Sequence, residues 1–78
     1  MEYTKLVYEL PSEGHVTLEI ADMMGKRVAL LTDERRQAGE HTVRLDASLV
    51  EPGVYLVKLR LKTAGSDLLR TIKLVRAQ

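Results

Sequence analysis

The amino-acid sequence predicts a single all-β domain, and three observations carry that reading. Apolar residues recur at every second position through nearly every segment, the spacing that lines one face of a strand. Single glycines (Gly14, Gly25, Gly39, Gly53 and Gly65) fall between these runs, one to each connection. No segment sustains the period of an amphipathic helix. About six to seven short antiparallel strands punctuated in this way form a sandwich or a small barrel.

The first strand is set by Leu6, Tyr8 and Leu10 alternating with Lys5, Val7 and Glu9, and Pro11 ends it. Val16, Leu18 and Ile20 alternate with His15, Thr17 and Glu19 in the cleanest half-buried strand of the chain. Asp22-Met23-Met24-Gly25 reads as a tight turn, because Asp can bond its own backbone and Gly accepts positive φ. Lys26 to Leu31 then returns as a third strand through Val28 and Leu30, completing a hairpin.

Thr32 to Glu40 is polar, ends in Ala38-Gly39, and reads as a surface loop. A short helix is the alternative there, without an apolar stripe to hold it down. His41 to Asp46 alternates again, with Val43 and Leu45 inward, and Ala47 to Glu51 is a connector with room for one helical turn. Pro52-Gly53 marks a turn before the longest strand, Val54 to Lys62. There Tyr55, Val57, Leu59 and Leu61 share one face and Lys58, Arg60 and Lys62 the other. A slip of one residue would bury three cations, so this register is strongly fixed. Thr63 to Asp67 turns around Gly65, and Leu68 to Arg76 is the last strand, with Ile72 and Leu74 favoured inward over Leu69 and Val75.

Composition narrows the function. The chain has 78 residues, enough for one domain spanning 1–78. A domain this short buries only about 60% of the surface its unfolded chain exposes, so its margin of stability is thin. The absence of cysteine excludes disulfides and thiolate zinc sites. Phe and Trp are absent too, so the core must be aliphatic, with Tyr3, Tyr8 and Tyr55 the only aromatics. A net charge of +1, with 12 basic and 11 acidic residues interspersed, gives no nucleic-acid footprint. No apolar run reaches the roughly 20 residues that span a bilayer. Met1 to Lys5 lacks the apolar stretch of a secretory signal, so an export signal would belong to a larger parent protein.

Catalytic and ligand chemistry find little support. Ser12 with His15 is the one close nucleophile–base pair, and it sits in a Pro-Ser-Glu-Gly turn where such residues commonly satisfy local backbone. His41 and Asp46 fall on opposite faces of a strand, and no carboxylate-dense calcium loop accompanies Asp22 or Asp46. The isolated glycines do not form a phosphate loop. Tyr8 and Tyr55 align with inward faces, leaving Tyr3 as the one aromatic free for a sugar platform. The Lys58, Arg60 and Lys62 face is a solvated sheet surface or a dock for an acidic partner. No catalytic residue, cofactor or metal site is expected.

The turn spacing carries a resemblance. Tyr8-Glu9-Leu10-Pro11, then Gly14 to Val28 with its Asp-x-x-Gly turn, then Ala38-Gly39-Glu40-His41 follow one another in order. Leu49-Val50-Glu51-Pro52-Gly53-Val54-Tyr55-Leu56-Val57 comes next, and Arg70-Thr71-Ile72-Lys73-Leu74-Val75-Arg76 closes the set. Together they resemble the type A C-terminal sorting domain of the type IX secretion system of Bacteroidetes. Where that family often has aromatic residues, near Ala21 and Leu45, this chain is aliphatic.

The resemblance implies an immunoglobulin-like antiparallel sandwich that serves a larger secreted protein, possible cargoes being hydrolases, as an address to the bacterial outer-membrane surface. The implied partners are outer-membrane type IX components and a surface sortase that leads to cell attachment. The implied contact residues are Gly53, Val54, Tyr55, Lys73, Leu74, Val75 and Arg76. Singly, Gly53 and Tyr55 read first as turn former and core filler, ahead of any contact role. Two other roles share parts of the pattern: the immunoglobulin-like assembly domain of flagellar hook-capping proteins, and a carbohydrate-binding module of a surface hydrolase. The short Asp46 to Gly53 connection favours the sorting reading over the first of these.

Overall fold

The computed structural model describes residues 3–46 and 50–76, with side chains from residue 5 onward. Its strands in chain order are β1 (Tyr3–Leu10), β2 (Gly14–Asp22), β3 (Arg27–Arg36), β4 (Gly39–Asp46), β5 (Gly53–Lys62) and β6 (Asp67–Arg76). They form two sheets, β1-β4 and β3-β2-β5-β6, and every pairing is antiparallel. Among the described residues no strand joins one sheet to the other, so the architecture is a sandwich and not a barrel. The smallest dimension, 16 Å, fits two layers packed about 10 Å apart.

Period-two alternation explains the core. Val16, Leu18 and Ile20 of β2 are almost fully buried, and Val57 and Leu61 of β5 join them on the same face. Leu18, Ile20, Leu45, Val50 and Val57 make one cluster, with Leu6, Tyr8, Val43, Tyr55 and Leu74 packed against it. Leu10, Val16 and Leu61 close the other end. Gly14 sits where β2 and its ladder neighbour β5 lie close: a Cβ there would lie 2.5 Å from the Lys62 carbonyl oxygen.

The Asp22 turn forms as the sequence indicates. The Asp22 carboxylate accepts hydrogen bonds from the Met24 and Lys26 amides, both at 2.9 Å, and Gly25 adopts φ +89°. At the other hairpin, the Thr63 hydroxyl accepts from the Ser66 amide at 3.0 Å, and Asp67 already belongs to β6.

Three expectations are corrected. Thr32 to Glu40 is not a loop: Thr32 to Arg36 continue β3, Gly39 and Glu40 open β4, and only Gln37 and Ala38 lie between. The polarity of this segment reflects an edge strand whose charges are matched across the ladder. Asp33 accepts from His15 at 2.6 Å, and Glu13 accepts from Arg35 Nε at 2.9 Å.

Val28 and Leu30 do not point inward; they are 40% and 44% exposed, and Ala29 and Leu31 pack on the core instead. The cause is a β-bulge. Leu18 stands opposite Thr32 but Glu19 opposite Leu30, so the extra residue reverses the phase of β3. Thr32, opposite the inward Leu18, keeps the inward phase, and its hydroxyl is buried without a hydrogen-bond partner among the described residues.

Ile72 lies on the inward face, opposite Val57, yet it is 59% exposed. The two-stranded sheet is too narrow to cover β6, and Leu74 alone of the favoured pair reaches the core. The helical turn considered at Ala47 to Glu51 falls partly on residues 47–49, outside the described residues.

Candidate functional site: a protein-contact patch on the β5–β6 ladder

The two motifs singled out for partner contact are 20 residues apart in sequence, yet the fold sets them side by side. Gly53 pairs with Arg76, Val54 with Val75, Tyr55 with Leu74, and Leu56 with Lys73. Alternation then divides the seven residues. Tyr55 and Leu74 face the core, whereas Val54 and Val75 face solvent at 39% and 63% exposure.

Two hydrogen bonds anchor this end of the ladder to the preceding connector. The Tyr55 hydroxyl donates to the Glu51 carbonyl at 2.6 Å, and Arg76 Nη1 donates to the Val50 carbonyl at 2.7 Å. Both tether the chain that enters β5, so Tyr55 and Arg76 act first as structural ties. Val54, Val75 and Lys73 are the exposed members.

Sequence reasoning missed two neighbours of this patch. Asp22 pairs with Tyr55, so the turn that follows it comes level with Val54 and Val75. That turn exposes Met23 and Met24, the latter at 92%. The signal was present: two large apolar residues occupy a turn otherwise built from Asp and Gly. Methionine is adaptable at contact surfaces because its thioether chain is flexible and polarizable.

The cationic face of β5 is largely countered by its neighbours. Lys58 stands opposite Glu19. Arg60 forks onto Asp67 through bonds of 3.0 and 3.1 Å. That hydrogen-bonded pair lowers the Asp67 pKa and raises that of Arg60. Glu19 also pairs with Arg27. The surface is a mixed-charge ladder, with less pull on an acidic partner than three bare cations would exert.

The candidate chemistry disperses. His15 donates to Asp33, and no serine hydroxyl is bonded to a histidine among the described residues. His41 donates to the Gln37 carbonyl at 2.7 Å and stacks on Tyr8 with ring centroids 5.5 Å apart. Among the described residues no group of three or more potential ligands could hold a metal ion. Tyr8 and Tyr55 are both turned into the sandwich, and the side chain of Tyr3 lies outside the described set.

No curated protein and no solved structure matches the chain. A family model described as the secretion system C-terminal sorting domain matches residues 4–73, taking in Gly53, Val54, Tyr55 and Lys73 and stopping short of Leu74, Val75 and Arg76. With 70 of its residues so matched, the chain belongs to the type IX secretion C-terminal sorting domain family.

Proposed function

We propose that this domain performs no chemistry and serves as the address of a larger exported protein, directing it through the outer membrane to attachment at the cell surface. The observation that carries the reading is the β5–β6 register. It joins Gly53–Leu56 to Lys73–Arg76 and leaves Val54 and Val75 exposed beside Lys73. Val54 and Val75 stabilise the ladder as a cross-strand pair; what supports docking is their grouping with the exposed Met23 and Met24 at one end of the sheet, since gathered apolar residues mark protein contacts where single ones do not. The outer-membrane components of the secretion system are the partners this patch serves, and a surface sortase acts after them.

The test fuses the chain behind a signal-bearing fluorescent reporter in a host with an intact type IX system. Surface delivery is read by protease accessibility. The Val54→Lys, Val75→Glu double variant sets opposite charges across that strand pair, so it is expected to keep the wild-type circular dichroism spectrum and to lose most delivery. Delivery equal to the parent fusion, or periplasmic retention of the parent itself, overturns the reading.

A further inference from the structure

The outer face of the two-stranded sheet is built from alternate residues of β1 and β4. Leu6, Tyr8, Val43 and Leu45 pack inward. Lys5, Val7 and Glu9 of β1 therefore face solvent, with Glu40, Thr42 and Arg44 of β4 beside them. Val7, in the middle, is 60% exposed. The register sets Lys5 opposite Arg44, Val7 opposite Thr42 and Glu9 opposite Glu40. Like charge stands opposite like charge at both ends of one face, and the sign reverses between the ends.

Each of these pairs works against its own ladder, because like charges directly across two strands are destabilising. Exchanging Lys5 with Glu9 would make both pairs attractive and leave the composition unaltered, so the stability of the sheet does not account for the arrangement. Lys5, Glu9 and Glu40 belong to no ion pair among the described residues. Asp46, next after Arg44 on this face, leaves that end cationic all the same. Four residues separate Lys5 from Glu9, which holds the two poles about 13 Å apart along the strand. At about 0.1 M salt that exceeds the screening length of about 10 Å, so each pole acts on what lies above it more than on the other.

We infer that this face binds a second copy of the chain, turned end for end about an axis that crosses β1 and β4 at Val7 and Thr42. In that arrangement Lys5 meets the partner's Glu9 and Arg44 meets the partner's Glu40, and symmetry repeats both contacts. Val7 meets the partner's Val7 between the poles, where facing sheets stand about 10 Å apart. A copy turned about an axis along the strands would set like pole on like pole, so charge selects the antiparallel arrangement. Three outward residues on each of two strands cover far less than the roughly 800 Å² per partner of a standard interface. The dimer is accordingly weak and sensitive to salt. It uses the opposite layer of the sandwich from the Val54–Val75 patch, and its test involves no secretion, so either reading can fail alone.

The experiment sediments the 78-residue chain at concentrations up to about 1 mM, high enough for so small an interface, and follows its methyl NMR shifts. Association is expected at about 10 mM salt, and its dissociation constant should rise at least roughly tenfold by about 0.5 M. Shifts should concentrate at Val7 and Thr42. A Glu9→Lys, Glu40→Lys variant makes the face wholly cationic, and a Lys5→Glu, Arg44→Glu variant makes it wholly anionic. Both keep like charge opposite like charge, as the parent does, so the ladder itself bears no new kind of cost. Either variant alone is expected to stay monomeric, and an equimolar mixture of the two to associate at least as tightly as the parent. The wild-type salt dependence and shifts stand even where a variant fails to fold. A parent that stays monomeric throughout, association indifferent to salt, or shifts centred on Val54 and Val75 overturns the inference. So do folded variants that self-associate like the parent, or a folded mixture that does not associate.

Discussion

At the scale of single residues, tolerance is decided by space and by unmet hydrogen bonds more than by residue type. Gly14 shows this best, because its hydrogen faces a carbonyl oxygen and the side chains of Leu61 and Thr63 across the ladder. Gly14→Ala must push β2 away from β5, and overpacking of this kind destabilises by about 1–3 kcal/mol. A shift of the urea midpoint at unchanged slope would show it; an unchanged midpoint would mean the ladder yields freely there. In so short a domain a loss of that size removes much of the total stability. The Tyr8 hydroxyl is the opposite case. Buried without a partner, it contributes nothing to folding that its ring does not supply by packing and by stacking on His41.

At the scale of the element, β6 is bound by pairing along β5 and only lightly by packing. The Arg60–Asp67 fork ties its first residue to the sheet. Because that bond lowers the Asp67 pKa, its contribution is present above the ordinary carboxylate range and is lost as pH falls through the lowered value. Thermal unfolding of the wild type should therefore lose stability on acidification, and Asp67→Asn should flatten that part of the pH profile. Both residues are solvent-exposed, so raising the salt should shrink the difference. A variant whose profile overlays the wild type would remove the pair from the stability of β6. The same light packing argues against deleting Ile72 to Gln78 as a test of export, since Leu74 and the Arg76 tie to Val50 would go with the patch.

At the scale of the whole molecule, topology governs how the chain reaches its fold. β1 and β4 join in a register that sets Tyr3 opposite Asp46, and β2 reaches past its own hairpin to pair with β5. Such non-local pairing closes large loops before it gains contacts, which places folding in the millisecond-to-second range. Stopped-flow refolding in the microsecond range would contradict that expectation. The same arrangement, two strands laid over four, leaves one side open and explains why Ile72 stays exposed instead of joining the core.

The strand alternation, the Asp22 turn, the inward face of β5 and the family were legible before any folding, because each is written in residues that are neighbours along the chain. The faces of β3 were not legible, because two register shifts against β2 change which residues point inward, and its charged edge read as a loop because balancing partners such as His15 lie on the strand beside it. The meeting of Val54 with Val75, the presence of Met23 and Met24 at the same end, and the uncovered Ile72 were decided only by tertiary structure. Strand pairing and sheet width join residues that no local pattern connects, and the contact patch and the open side are products of that joining.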